Sequence, residues 1–423
     1  MLQVSYIRDN REQVLERLAV KNFKQPLLVD EIILLDDKRR QTQTSLDNIS
    51  AEANAGAKQV GELMRAGKKE EAEILKSKTG TWKEDIKNLG EQLAMVEDDL
   101  YQKLVLLPNL PHSSVPPGLT PEDNEVLFES GVKPHLPANA LPHWELAAKY
   151  NLIDFELGVK ITGAGFPVYK NKGAKLQRAL INFFLDEAEK AGYSEVMLPL
   201  MVNEASGFGT GQLPDKEGQM YFVGNDNLYL IPTAEVPITN MYRDVILKAD
   251  ELPVKNCGYT PCFRREAGSY GAHVRGLNRL HQFDKVEIVQ VVHPDQSYKV
   301  HEQMCLHVQS LLEKLGLPFR VLRLCGGDMS FTAALTHDME TWSAAQQRWL
   351  EVSSVSNFET FQSNRLKLRF RNAEGKTQLA HTLNGSALAL PRIVATLLEN
   401  NQTDNGIKIP DVLVPYTRFE WID

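Results

Sequence analysis

Residues 257–292 read CGYTPCFRREAGSYGAHVRGLNRLHQFDKVEIVQVV, and their pattern decides the fold. YTPCFRRE is strand-like, a glycine-bearing segment reverses the chain, and RLHQFDKVEIVQVV alternates as a second strand, so the spacing predicts a β-hairpin with a long loop. The charges are unusual for a hairpin. Arg264, Arg265, Glu266, Arg279, Asp284, Lys285 and Glu287 exceed what a strand pair with one face in a core tolerates, because an unpaired buried charge is expensive. A nucleoside-triphosphate site accounts for them: arginines take phosphate oxygens bidentately, a carboxylate accepts from an amine, and Phe283 offers a face to a base. A surface hairpin laced with salt bridges accounts for them equally well.

The bulk properties of the chain narrow the choices. With 423 residues, 43% hydrophobic and 24% charged, it has room for two or three domains and a large core, and its composition is not that of a disordered protein. A formal net charge of −8 excludes a surface that binds nucleic acid everywhere and confines such contacts to local basic patches. The cysteines Cys257, Cys262, Cys305 and Cys325 form no CxxC pair and the histidines no HExxH, so reduced core thiols are expected in place of a zinc site. Neither a signal peptide nor an apolar run of bilayer length is evident, which predicts a cytoplasmic protein with no membrane contact.

Toward the N-terminus, residues 1 to about 25 predict a short amphipathic helix, opened at Asn10-Arg11-Glu12 with Val14, Leu15 and Leu18 on one face. Leu28, Ile32, Leu35, Arg39, Thr42, Leu46, Ile49 and Ala53 then recur at alternating spacings of four and three, a heptad seam. The seam fades through Gly56, Gly61 and Gly67 and resumes at Leu75, Thr79, Trp82, Ile86, Leu89, Leu93, Val96 and Leu100. Two such seams predict an antiparallel helical hairpin over about residues 27–104, with roughly 30 residues per helix and a length of about 45 Å, protruding from a globular body. Taken alone, such a rod reads as an oligomerisation or scaffolding device. Its distal lysines and arginine (Lys58, Arg65, Lys68, Lys69, Lys76, Lys78, Lys83, Lys87) slightly outnumber the acids, which suits a phosphate-led contact with nucleic acid. Both readings stay open. The proline-dense segment 106–124 predicts a linker between domains.

The order of parts in FRREAGSYG and RGLNRLHQFDKVE closely resembles motif 2 of class II aminoacyl-tRNA synthetases, here at about 257–292, and within that class the seryl-tRNA synthetase family. The features that carry it are the first arginine, the glutamate two residues on, the glycine loop, the second arginine and the closing strand. KLQRALINFFLDEAEKAG, a helix from Gly173 to about Ala191, followed by the strand YSEVMLPLMVN with Pro199, resembles motif 1 at about 173–203. HTLNGSALALPRIVATLLEN resembles motif 3 at about 381–400, with Ala387 and Pro391 where glycines often stand and the proline expected at the first helical position. The resemblance implies an α+β fold: a catalytic domain over 125–423 with an antiparallel sheet flanked by helices, preceded by an N-terminal tRNA-binding domain over 1–105. The two-helix coiled-coil arm of that domain is expected to grip the variable arm of tRNA-Ser by backbone and shape. It also implies a homodimer built on motif 1.

The reaction so implied joins L-serine and ATP into seryl-adenylate and pyrophosphate, then transfers serine to the 3′ end of tRNA-Ser. Thr233-Ala234-Glu235, on its own a helix start with Thr233 as N-cap, is expected to hold the serine amino group. By the same resemblance Arg264 bridges the α-phosphate and the serine carboxylate, Glu266 reads the adenine amine, Phe283 stacks on the base and Arg265 adjoins the nucleotide. Arg279 and Arg392 hold the γ-phosphate, Glu287 accepts from the serine hydroxyl, and Ser386 lies near the serine; Arg264 and Arg392 are the residues expected to be catalytic. Glu351-Val352-Ser353-Ser354, otherwise a plain polar strand end, is expected along ATP, with Glu351 and Ser354 holding Mg²⁺. His273 and Arg275 are expected at the tRNA acceptor end. No general base is required, because the attacking carboxylate is already ionised. Whether selenocysteine tRNA is a second acceptor, and what excludes threonine, the sequence leaves open.

Overall fold

The computed structural model describes residues 1–215, 218–266 and 274–423. They form two compact units, Met1–Ala19 with Phe23–Pro108, and Val20–Asn22 with Asn109–Asp423.

The first unit is helical. The single N-terminal helix expected is in fact two, α1 (Val4–Asp9) and α2 (Arg11–Val20). Asn10 ends the first: its backbone leaves the helical region and its side-chain amide donates back to the Tyr6 carbonyl, 3.1 Å away. The hairpin follows as α3 (Leu27–Arg65) and α4 (Lys69–Leu106). Leu28, Ile32, Val96 and Leu100 of the seam are buried, and the remaining seam positions are half-buried. Arg39 occupies a seam position because Asp36 is buried beside it and needs partners; Arg39 and Arg8 supply them at 2.9 and 2.7 Å. With 39 and 38 residues the helices run to roughly 58 Å at about 1.5 Å per residue, longer than expected, because Gly56 and Gly61 remain helical. Gly56 is a packing position and not a breaker: the Trp82 ring occupies the space its Cβ would take. The reversal comes at Gly67, with φ of +74°.

The second unit is built on one sheet. In chain order its strands are β1 (Glu125–Ser130), β2 (Ser194–Glu195), β3 (Val254–Phe263), β4 (Gln282–Val292), β5 (Phe319–Arg323), β6 (Leu335–Ser343), β7 (Arg348–Asn357) and β8 (His381–Ala389). Their spatial order is β1-β5-β6-β7-β8-β4-β3-β2, antiparallel throughout except where β2 runs parallel to β3. The strand expected after the long helix is shorter than read. Only Ser194–Glu195 joins this sheet, and Met201–Val202 pairs instead with residues 229–230; Pro199, between them, has no N–H for a ladder.

The opening stretch is the hairpin it was read to be. β3 and β4 pair from Phe263 opposite Gln282 to Val254 opposite Val291. Alternation along β4 therefore sets Phe283, Lys285 and Glu287 on one face and Asp284 on the other, where Asp284 accepts from Tyr259 and Gln177 at 2.8 Å each. On that second face lie α6 (Asn171–Lys190), α8 (Ser297–Lys314) and α9 (Leu390–Asn400), after α5 (His143–Lys149) and α7 (Glu235–Asn240) in the numbering. Leu180, Phe184, Val308, Leu311, Ile393 and Leu397 join Ile288, Val355 and Leu383 in one core, each such side chain stabilising by about 1.5–3 kcal/mol when fully buried.

The proline-dense segment is not a free tether. From Asn109 onward it lies along the second unit: the Asn109 side chain donates to the carbonyls of Thr332 (2.9 Å) and Phe358 (2.8 Å), and Val115 packs with Leu322, Leu324 and Phe358. All four cysteines are free and buried, as expected. Among the described residues no helix is long and apolar enough to cross a membrane.

Candidate active site

A cavity of about 610 Å³ opens on the face of the sheet that carries Phe283 and Lys285. Strand alternation, the turn before α7 and the start of α9 deliver distant residues to it. Thr233, Glu235, Arg264, Glu266, Arg279, Phe283, Glu351, Val352, Ser353, Ser354, Ser386 and Arg392 all line it. Ala234, Arg265 and Glu287 do not. Ala234 is fully buried as the N-cap of α7, a place the sequence reading gave to Thr233. Arg265 is exposed, the residue after Arg264 and so on the opposite side of an extended segment. Glu287 has no exposed surface and lies beneath the wall.

One end of the cavity is a cluster of opposite charges. Lys285, itself buried, places its ammonium 2.9 Å from Thr233 Oγ1 and 2.5 Å from Glu287 Oε2. Asn384 Nδ2 donates to Glu287 at 2.8 Å and Ser386 Oγ at 3.5 Å, so the buried carboxylate is compensated on several sides. Glu235 accepts from Gln362 Nε2 at 2.6 Å. Burial, and then the negative charge of Glu287, push the Glu235 carboxyl up to about 7, against the pull of Lys285 and Arg264. A carboxylate held this way is well placed to take an ammonium ion.

The other end is made of arginines and a ring. The Arg264 guanidinium sits over the Phe283 ring at 5.3 Å and donates through Nε to the Pro232 carbonyl at 3.3 Å. Glu266 and Arg279, read as contacts for base and phosphate, are ion-paired with each other. Arg392 donates to the Glu351 carbonyl at 2.8 Å and through Nε to the Asn278 carbonyl at 3.1 Å. Asp338, paired across the strands with Ser354, is buried, with one carboxyl oxygen lacking a hydrogen-bond partner. Burial and the charge of Glu351 push it well above the ordinary carboxyl range, while a hydrogen bond from Ser354 pulls the other way. The donor set here is hard oxygen, the chemistry of Mg²⁺. A softer group, His301, Cys305 and His337, brings its ligand atoms within 4.8 Å, but none of them lines the cavity.

Of the loop residues, His273 falls outside the described residues. Arg275 stands over the Trp144 ring at 4.8 Å. Lys285, Asn384, Gln362 and Asp338 were not singled out as site residues from the sequence. Lys285 was within reach of it: Phe283, Lys285 and Glu287 share one strand face, so a lysine between two assigned residues belonged with them.

Comparison with known proteins matches this arrangement. Residues 1–111 match the seryl-tRNA synthetase N-terminal domain and residues 221–401 the tRNA synthetase class II core domain (G, H, P, S and T). The serine–tRNA ligase of Salinibacter ruber is 52% identical over 421 residues, covering 99% of this chain and 98% of that protein. That of Akkermansia muciniphila is 44% identical, covering 98% and 97%. The crystal structure of seryl-tRNA synthetase from Pyrococcus horikoshii complexed with ATP superposes with a TM-score of 0.94 at 32% identity, over 100% of this chain and 99% of that one. With two charged clusters facing one cavity in the class II core, and a helical hairpin ahead of it, this chain belongs to the seryl-tRNA synthetase family.

Proposed function

We propose that this chain works as a serine–tRNA ligase through a division of the cavity into an amino-acid end and a nucleotide end. The observation that carries the reading is that Glu235, a buried carboxylate, lies within electrostatic reach of Arg264 and Lys285 in one cavity. Carboxylate and guanidinium side by side are the complement of an amino-acid zwitterion. Thr233 and Glu235 take the serine ammonium, and Arg264 takes its carboxylate together with the α-phosphate. The serine hydroxyl is read at the polar corner of Lys285, Asn384 and Ser386, which Glu287 holds from beneath. A corner with so many committed polar groups rejects alanine, because they are left unmatched.

At the other end Phe283 stacks on the base, and the Glu266–Arg279 ion pair opens so that the carboxylate meets the adenine amine and the guanidinium, with Arg392, meets the γ-phosphate. A serine carboxylate oxygen attacks the α-phosphorus, forming the acyl-phosphate bond as the bond to pyrophosphate breaks. The 3′-terminal ribose hydroxyl of tRNA-Ser then attacks the carbonyl carbon, and AMP leaves. The first step moves no proton, so positioning and charge neutralisation suffice. Glu351 and Ser354, backed by the unpartnered oxygen of Asp338, suit Mg²⁺, which when bound neutralises and orients the phosphates.

The exposed lysines along α3 and α4 support a contact with the variable arm of tRNA-Ser, and Arg275, near the cavity, one with its acceptor end. Met197 and Met201, 95% and 47% exposed just after α6, support a homodimer on that face, which light scattering tests. The cytoplasm is the compartment that such a role in translation implies. The direct test of the site is ATP–pyrophosphate exchange without tRNA, each amino acid in turn, on wild type and Arg264→Ala. Serine-dependent exchange that the substitution removes supports the assignment; exchange undiminished in the variant overturns it.

A further inference from the structure

Below the nucleotide end runs a connected set of buried polar groups that do not line the cavity. His143, at the first position of α5, and Glu399, seven residues after Arg392 on α9, are both fully buried. His143 Nδ1 lies 2.7 Å from Glu399 Oε1, and the His143 backbone N–H donates to the same oxygen at 3.0 Å. Ser343 and Gln346 also donate to Glu399. Burial by itself would raise the Glu399 carboxyl, but these bonds, His143 foremost, hold it below its ordinary value. On its far side the imidazole receives the Leu277 backbone N–H at Nε2, 2.9 Å away. That bond fixes the tautomer: Nε2 is an acceptor, so the ring proton is on Nδ1 and is given to Glu399.

Leu277 stands where the motif 2 loop rejoins the sheet. Gly276 before it has φ of +68°, and a Cβ there would overlap His143 Nε2, so the backbone is laid directly on the ring. Asn278 after it offers its carbonyl to Arg392 Nε at 3.1 Å and its side-chain amide to Gln346 at 2.8 Å. Arg279 comes next. The imidazole is thus the joint between the helix that carries Arg392 and the backbone that carries Arg279.

We propose that His143 is a positioning residue for the phosphates of ATP: braced by Glu399, it holds the Gly276–Asn278 backbone at the height that presents Arg279 and aims Arg392. This rests on the reading that those two arginines hold the γ-phosphate. The amino-acid end is made by other segments, so the role predicts a defect confined to the nucleotide.

Two substitutions separate the two ring bonds. Asparagine places an amide near Nδ1 and keeps a donor for Glu399, but falls short of Leu277; glutamine places an amide oxygen near Nε2 and keeps the acceptor for Leu277. In pyrophosphate exchange, His143→Asn raises the KM for ATP about tenfold with the KM for serine within about twofold, and His143→Gln recovers most of the loss. Equal defects in both variants, ATP and serine KM rising together, or an unchanged ATP KM in His143→Asn overturns the proposal. Should His143→Asn not fold, Glu399→Gln replaces the carboxylate that braces the ring by a neutral amide; the same ATP-confined rise supports the role and an unchanged ATP KM rejects it. Arg392→Ala run alongside keeps the two ideas apart. If it leaves the ATP KM unaltered, the arginine assignment has failed; if it is crippled while His143→Asn is normal, only the positioning role has.

Discussion

The molecule contains two antiparallel hairpins that use charge in opposite ways. In the distal part of the helical hairpin of α3 and α4 the lysines are exposed, and the ion pairs they make there are with a neighbour three or four residues away, as Lys68 with Glu71 and Lys76 with Glu73. In the β-hairpin of β3 and β4, Lys285 and Glu287 are buried, and their partners Thr233, Asn384 and Ser386 come from other segments. A solvated charge contributes through its field and can be replaced by a neighbour; a buried one is part of a set that fails together. The two regions therefore predict very different sensitivities to the same change, lysine to alanine.

Lys285→Ala has the largest expected effect. It leaves Glu287 buried without its cation, a loss of about 3–5 kcal/mol by analogy with other broken buried pairs, and exchange activity should fall by roughly 10²–10³-fold. Urea unfolding followed by tryptophan fluorescence, with the exchange assay, measures both. If the variant is as stable as wild type, the claim that buried charges act as a set is wrong for this hairpin.

The pH dependence of the amino-acid end comes next. Glu235 is raised from 4.5 to about 7 in the folded protein, so its neutral form is the one favoured by folding. Its contribution to the stability of the unliganded protein is full below the unfolded value and is lost as pH rises through about 7. Serine binding runs the other way, since the ammonium needs the carboxylate. The KM for serine should thus rise about tenfold per pH unit below pH 7 and level off above it, and Glu235→Gln should flatten the profile. A wild-type profile already flat between pH 5.5 and 8 would show that the cluster does not share charge as described.

The same contrast explains what the sequence made legible. Periodic features were: the seams of α3 and α4 and the alternation of β4 are repeated signals, each residue reinforcing the next. The length of the arm was misjudged because Gly56 resembles a breaker on its own, and only Trp82, on the other helix, shows it to be a packing site. Within the cavity, motif order found Arg264, Phe283 and Arg392. It missed Asp338 in the wall and Gln362 behind Glu235, which lie on elements with no motif and come there only through sheet order and helix packing. Glu287 illustrates the limit from the other side: its place on the strand was readable, but not that Lys285 and Asn384 cover it.

Glycines in the arm test whether its repeat is uniform. Gly61 has open space where a Cβ would go, whereas at Gly56 that space belongs to Trp82. Gly61→Ala should stabilise the helical transition by about 0.5–1 kcal/mol, the usual gain at a helix interior. Gly56→Ala should forfeit that gain and lower the midpoint, because the ring must move. Circular dichroism at 222 nm during urea titration distinguishes them, and equal stabilisation by both would mean that Trp82 does not pack as described.

The smallest effects are expected from Lys58, Lys78 and Lys83, all exposed on the arm. Alanine at any one should change stability by less than about 0.5 kcal/mol and weaken tRNA-Ser binding only a few-fold. The informative quantity is the salt dependence. Each lysine that neutralises a phosphate releases a counterion on binding, so the slope of log affinity against log salt should shrink by close to one per substitution. The triple variant should lose about two to three units of slope, with single losses that add, as expected of groups that do not share partners. Lys285 cannot behave this way, because its loss strands a carboxylate that no salt can reach. If one arm lysine alone abolished binding, the arm too would contain a fixed constellation, and the division between a charge field and a charge set would no longer follow the division between the two hairpins.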